Sequence, residues 1–266
     1  MNRLDATFQT LRARGERALV TFFTVGDPSL DVTERLVAEA DQRGADVIEL
    51  GVPFSDPIGD GPVNQRSAER ALRGGTSLVR VLETVSRVRD RVRAPFVLMT
   101  YYNPVYAFGL KAFARTAVDA GVDGVIVLDL PPEEATDLAA EADLAGLDVI
   151  FLVAPTSTAP RLRLIARKSR GFIYVISRMG VTGVRAEVPD DLAGQVRALR
   201  MVTTKPICVG FGIARPEQVA TVGALADGVI VGSAIVKMVE ERASSPALVA
   251  DVGRFISELK APLRKP

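Results

Sequence analysis

The chain contains no histidine. That excludes every Ser-His and Cys-His nucleophile scheme and every histidine-based metal site. Any general acid or base must then be a carboxylate, Lys, Tyr or the one cysteine. That cysteine, Cys208, lies in the apolar run Pro206-Ile-Cys-Val and reads as a small buried hydrophobe. One cysteine makes no intrachain disulfide, which fits a reducing cytoplasm. Charge of one sign is not in excess either. With 33 basic and 32 acidic residues the formal net charge is +1, so there is no electrostatic case for nucleic acid or an acidic membrane surface. No uninterrupted apolar run is long enough to span a bilayer. The segment Met1 to Phe8 has no signal-peptide core and reads as a short amphipathic helix.

What is present is a chain of 266 residues, 48% hydrophobic, with enough apolar residues for a sizeable core. Eight short runs read as strands: Ala18 to Thr24, Val47 to Leu50, Phe96 to Thr100, Val125 to Leu128, Val149 to Val153, Phe172 to Ile176, Pro206 to Val209 and Val229 to Val231. Most are continuously apolar rather than alternating, as in parallel sheets covered on both faces. Helix-length amphipathic segments separate them. The joint Arg43-Gly-Ala-Asp-Val recurs as Ala120-Gly-Val-Asp-Gly and Ala145-Gly-Leu-Asp-Val, with a weaker echo at Leu225-Ala-Asp-Gly. Each ends a helix, turns at an Asp and starts a strand. Eight such units predict an α/β fold, a (β/α)8 barrel forming one domain over residues 1–266. No Gly-x-Gly-x-x-Gly turn follows the first strand, which argues against a dinucleotide fold. Extra helices are expected at the N-terminus, before the third strand and at Leu248 to Leu259, followed by a frayed tail from Lys260.

Barrel chemistry sits at the C-terminal ends of the strands. There the sequence places Asp56 and Asp60 after strand 2, Tyr101, Tyr102 and Asn103 after strand 3, and Asp129 with Pro131-Pro132 after strand 4. Ser177-Arg-Met-Gly-Val-Thr-Gly183 follows strand 6, Gly210-Phe-Gly-Ile follows strand 7, and Gly232-Ser233 follows strand 8. The glycines let backbone N–H groups approach an anion, and a helix starting at Ser233 adds its positive end, so phosphate is the expected ligand of this side. Glu49 stands in a core strand. It is either a rim carboxylate paired with an Arg, or an unpaired acid raised toward neutral pH and able to exchange a proton. Asp60 in Gly-Asp-Gly-Pro is a turn residue by default, and its catalytic reading is no stronger on composition alone. Asp129 is expected to accept backbone N–H bonds, and Tyr174 to be a core aromatic. Phe22 and Phe211 line a ligand pocket or plug the barrel mouth. Arg161 to Arg170 reads as a solvated helix face.

The stretch Glu49-Leu-Gly-Val-Pro-Phe-Ser-Asp-Pro-Ile-Gly-Asp60-Gly-Pro resembles the signature of the tryptophan synthase α subunits. So do Phe22 through Gly26-Asp27-Pro28, Asn103-Pro-Val, Ser177-Arg-Met-Gly-Val-Thr-Gly, Gly210-Phe-Gly-Ile and Gly232-Ser-Ala-Ile-Val-Lys. The resemblance implies a barrel that cleaves indole-3-glycerol phosphate to indole and glyceraldehyde 3-phosphate, with no metal and no cofactor of its own. It implies Glu49 as the acid/base, and Asp60 as the acceptor of the indole N–H. Phe22, Tyr174 and Phe211 border the substrate, and Gly183, Gly212, Gly232 and Ser233 hold the phosphate. Thr182 positions Asp60 when its loop closes. It also implies a partner, the β subunit, which carries pyridoxal phosphate and takes up the indole in an α2β2 heterotetramer. Asp56, Pro57, Asn103 and Pro131 match positions near that contact. Gly59 and Met179 depart from the pattern, where Ala and a small residue are usual, and bear on loop closure. Three alternatives stay open: a stand-alone lyase releasing free indole, another phosphosugar barrel, and an inactive scaffold subunit.

Overall fold

A computed structural model describes residues 2–176, 190–210 and 212–265 of the chain. Among these residues the strands are β1 (Ala18–Thr24), β2 (Val47–Gly51), β3 (Phe96–Thr100), β4 (Gly124–Val127), β5, β6 (Ile173–Ile176), β7 (Ile207–Gly210) and β8 (Gly228–Val231). β5 is one passage of chain in two pieces, Asp148–Val149 and Leu152–Val153. Its first piece pairs with β4 and its second with β6. Between them, Ile150 N–H donates to Val125 and the carbonyl of Phe151 accepts from Tyr174 N–H, so the ladder runs through the gap. All pairings are parallel, and β1 pairs with both β2 and β8. The sheet therefore closes into the expected (β/α)8 barrel.

Alternation across each strand divides the core. Val20, Val47, Val97, Ile126, Phe172, Cys208 and Ile230 fill the interior. Leu19, Phe23, Ile48, Leu50 and Leu98 face the surrounding helices. Because both faces are dry, alternation is invisible in the sequence of β2, where outward Ile48 and Leu50 flank inward Glu49. Helix α1 (Arg3–Arg14) closes the N-terminal mouth by inserting Leu4, Phe8 and Leu11 into the interior cluster. Arg3 fastens it to Asp123 at 2.9 Å, and the Asn2 amide donates to Asp148 at 2.6 Å.

The recurring Asp joints have a use beyond turning the chain. The carboxylate of Asp46, before β2, accepts Leu19 N–H of β1 at 2.7 Å. Asp123, before β4, accepts Phe96 N–H of β3, and Asp227, before β8, accepts Ile207 N–H of β7. Each holds an N–H at the start of the preceding strand, the first of β3 and β7 and the second of β1, a buried donor that would otherwise have no partner. Between β5 and β6 the same position is served by Ser169, whose hydroxyl accepts from Phe151 N–H at 3.0 Å. Asp148, which shares the sequence motif, instead accepts from Asn2.

After α1 the α-helices are α2 (Leu30–Arg43), α3 (Pro62–Arg73), α4 (Leu78–Val88), α5 (Tyr102–Phe108), α6 (Leu110–Ala120), α7 (Thr136–Ala145), α8 (Ala159–Lys168), α9 (Asp190–Arg200), α10 (Pro216–Gly223), α11 (Ser233–Arg242) and α12 (Leu248–Lys260). Of these, α3 and α4 both lie in the β2–β3 crossover, and α12 covers the outside. The tail differs from expectation. Lys260 is buried and donates to Asp46 and to the Arg17 carbonyl, while Leu263 is buried and its carbonyl accepts from Arg17 N–H. Chain through Leu263 is tied down because the floor of the barrel supplies both an apolar seat and an anion.

Candidate active site

Two cavities of similar size lie at opposite ends of the barrel. One of about 580 Å³ opens beside α1 at the N-terminal end, lined by charged and polar residues including Arg12, Asp143 and Lys205. The other, of about 610 Å³, opens at the C-terminal strand ends, over Phe22, Glu49, Asn64, Met99, Tyr174, Gly212, Gly232 and Ser233. Size does not separate them; chemistry does. The first holds the buried Asp148, but that carboxylate already accepts from Asn2; the second holds a buried acid with no hydrogen-bond partner among the described residues, between aromatic walls and a helix start.

Glu49 is reached through an accident of register. It pairs with Phe22 of β1 and Val97 of β3, so it points inward, above Val47. Its side chain is 0% exposed, and among the described residues neither carboxylate oxygen has a hydrogen-bond partner. The expectation of an arginine partner is not met there. Burial alone pushes its carboxyl up from 4.5 to about 8, so the group is largely protonated at neutral pH.

Asp60 sits on the loop before α3. Its carboxylate accepts from the Tyr101 hydroxyl at 2.8 Å and from the Asn64 amide at 3.3 Å, and its carbonyl accepts from Gln65 at 2.9 Å. Burial raises its pKa, and the two side-chain donors oppose that rise. The acid does not line the large cavity. It lines a smaller one of about 20 Å³ that shares Phe22, Asn64 and Met99 with it. Tyr101 is itself oriented by stacking on Phe54, with centroids 5.2 Å apart, and accepts Gly59 N–H at 3.0 Å. A Cβ at Gly59 would come within 3.2 Å of that hydroxyl, so glycine here relieves the contact.

The aromatic walls depend on missing side chains. A Cβ at Gly51 would lie 2.6 Å from the Phe22 ring, and one at Gly210 would lie 2.8 Å from the Tyr174 hydroxyl. Tyr174 titrates well above its ordinary value, through burial and then the Glu49 charge. On the far wall, α11 (Ser233–Arg242) starts at the cavity. The Gly232 carbonyl already accepts from Ile235 and Val236. The N–H groups of Ser233 and Ala234 are first-turn donors with no carbonyl inside the helix to meet them. Gly212, at φ +62, has open space over its α-carbon.

The structure thus gathers Glu49, Phe22, Tyr174, Gly212, Gly232 and Ser233 around one cavity and places Asp60 next door. Thr182, Gly183 and Phe211 lie outside the described residues, as does Met179. Asp129 accepts a backbone N–H as expected, but from Tyr102, the first residue of the helix that follows β3, at 2.7 Å. Arg161 pairs with Glu133 and Arg170 with Asp143 on the surface. Missed by sequence reading were the supports of Asp60. Asn64, four residues on and in the first turn of a helix, carried a usable signal; Tyr101 was placed on the same rim, but nothing in the sequence tied it to Asp60.

A family model described as tryptophan synthase alpha chain matches residues 8–262. The tryptophan synthase alpha chain of Geobacter sulfurreducens is 52% identical over 260 residues, covering 98% of this chain and 98% of its own. That of Solibacter usitatus is 46% identical over 260 residues, at 98% and 97% coverage. A crystal structure of tryptophan synthase subunit alpha from Legionella pneumophila superposes with a TM-score of 0.92 at 37% identity, over 99% of this chain and 98% of that one. A chain of the Mycobacterium tuberculosis tryptophan synthase structure gives 0.91 at 38% identity, over 100% and 99%. With sequence similarity over nearly the whole length and a matching barrel, the chain belongs to the tryptophan synthase alpha chain family.

Proposed function

We propose that residues 1–266 work as one barrel domain that cleaves indole-3-glycerol phosphate to indole and glyceraldehyde 3-phosphate, with Glu49 and Asp60 as its acid/base pair. The observation that carries this is Glu49: a buried carboxyl with no partner among the described residues, held protonated over a cavity whose opposite wall offers anion donors. The phosphate docks on Gly212, Gly232 and Ser233, with Gly183 joining them. The ring lies between Phe22, Tyr174 and Phe211. Glu49 delivers its proton to indole C3, and the electron demand this creates is relieved when the C3–glycerol bond breaks. The adjacent glycerol hydroxyl becomes the aldehyde, and its proton returns to Glu49, so the step releases no net proton. Asp60 turns from its small cavity to accept the indole N–H, favouring the positive charge on the protonated ring, and Thr182 holds it there. Water is kept from the ring by the loops that carry Asp60 and Thr182.

The same end of the barrel carries the partner surface in this reading. Asp56, Pro57, Asn103 and Pro131 flank the site, and beside them Ile58 is 86% and Tyr106 65% exposed, large apolar side chains left to solvent. They suit a β subunit in an α2β2 assembly, cytoplasmic, with pyridoxal phosphate in the partner and none required here. Among the described residues no helix is long and apolar enough to cross a membrane.

Indole release from indole-3-glycerol phosphate, measured while a β subunit is titrated in, tests the reading. A rate that climbs with partner is expected. A full rate without it makes the chain a stand-alone lyase, and no indole under either condition sinks the proposal.

A further inference from the structure

A charged cluster on the flank of the barrel joins the two helices that open at the site. α3 follows the loop of Asp60, and α11 begins at Ser233. Two turns along α11, Glu240 accepts from Nε and Nη2 of Arg66 at 2.8 Å each, and from Nη1 of Arg70 at 2.7 Å. Arg70 gives its other edge, Nε and Nη2, to both oxygens of Asp27 at 2.8 Å each. Asp27 is buried in the turn that leaves β1. Ser67, beside Arg66, shares a 2.7 Å hydrogen bond with Thr24 at the end of β1.

Isolated surface ion pairs hold little, because two long side chains lose freedom to form them. This cluster differs in geometry. Two guanidinium forks engage one carboxylate and a second, buried one, and bidentate pairs fix orientation as well as distance. Hydrogen bonds from Arg66, then the charges of both arginines, hold Glu240 down at about 2, so it stays ionised throughout the working range. The first turn of α3 in turn grips Asp60 through Asn64 and Gln65. A tilt of α3 against α11 is therefore passed to Asp60.

We propose that Arg66, Arg70, Asp27 and Glu240 form a positioning clamp that sets the spacing between the anion-binding start of α11 and the Asp60-bearing start of α3. A substrate held by its phosphate then presents its ring N–H to Asp60 without a search. The clamp rests on the functional reading above and concerns none of the groups that touch substrate.

The test is a double-mutant cycle of Glu240→Gln with Asp60→Asn, in complex with β subunit, with single-turnover indole release as the rate and glycerol 3-phosphate as a probe of the anion end. Glu240→Gln is expected to lower the rate by about five- to tenfold, the scale on which sub-ångström misplacement acts. The glycerol 3-phosphate Kd should stay within about twofold, because that ligand does not reach Asp60. In the Asp60→Asn background the same substitution should change the rate by less than about twofold, since there is no acid left to misplace. An equal loss in both backgrounds, or a wild-type rate in Glu240→Gln, overturns the clamp. Arg66→Lys, which keeps one contact, should give an intermediate loss; a wild-type rate there counts against it too. No indole from the wild-type complex overturns the functional reading itself.

Discussion

Replacing Glu49 with Gln should stabilise the fold while removing the activity, and the stability gain should depend on pH in a predictable way. The carboxyl titrates at about 8 in the folded chain, against 4.5 as the ordinary value. Between those two pH values the folded state holds a proton that the unfolded state has released. Stability therefore falls as pH rises through this window and levels off above 8. At pH 7 the penalty comes to about 3 kcal/mol, and it approaches about 5 kcal/mol above pH 8. Gln cannot ionise, so the penalty vanishes in the variant. Its amide is as poorly partnered as the protonated acid, but that offset is constant with pH and cancels when the two curves are compared. Urea unfolding of both proteins at intervals from pH 4.5 to 9 measures the difference. Divergence by about 3 kcal/mol between pH 4.5 and 7 is expected. Parallel curves would refute the burial argument, whatever the variant's activity. In the same variant, indole formation should drop by about 10²- to 10⁴-fold, the usual weight of a general acid or base.

Tyr101→Phe removes a donor that lowers the pKa of Asp60, so that pKa should rise further and the acidic limb of the kcat profile should move to higher pH; an unmoved limb would show that Tyr101 does not hold the working form of Asp60. Asp123→Ala strips Phe96 N–H of its acceptor and leaves Arg3 and Arg89 without their anion. A loss of about 2–4 kcal/mol in urea unfolding is expected, with kcat unchanged at low temperature, because the defect lies at the far end of the barrel from the cavity.

Much of this fold was legible in the sequence because apolar runs, helix stops and Asp joints repeat with the same meaning. The positions that carry it are local: Gly44 and Gly121 end helices in the left-handed region, and the next strand starts three residues later. What was not legible is what depends on the ring. The Asp joints looked like turns because the strand N–H each one holds is 20 or 27 residues away in sequence. The tail looked frayed because its anchors, Arg17 and Asp46, lie more than 200 residues earlier in the chain. At the site, Glu49 could be singled out from its place in an apolar strand, but its lack of an arginine partner among the described residues could only be seen in three dimensions. Asp60 was the reverse. Nothing in its own loop distinguished it from a turn residue; its tie to the Tyr101 hydroxyl, on the next strand end, is seen only in the structure.

The two carboxylates are held in opposite ways, and the chemistry requires that difference. An acid that must give a proton to carbon near neutral pH needs an environment hostile to its charge, and Glu49 has no donor among the described residues to soften it. An acid that must face a developing positive charge needs to be ionised, and Asp60 keeps two donors for that purpose despite its burial. Exchange the environments and both would suffer: a solvated Glu49 would be deprotonated before substrate arrived, and Asp60 without its donors would have its pKa pushed further up by burial. In a chain without histidine, one kind of group, the carboxyl, can serve both roles only if the barrel supplies both environments within one site. It does so by putting Glu49 on a strand, where register buries it, and Asp60 on a loop, where neighbours can reach it.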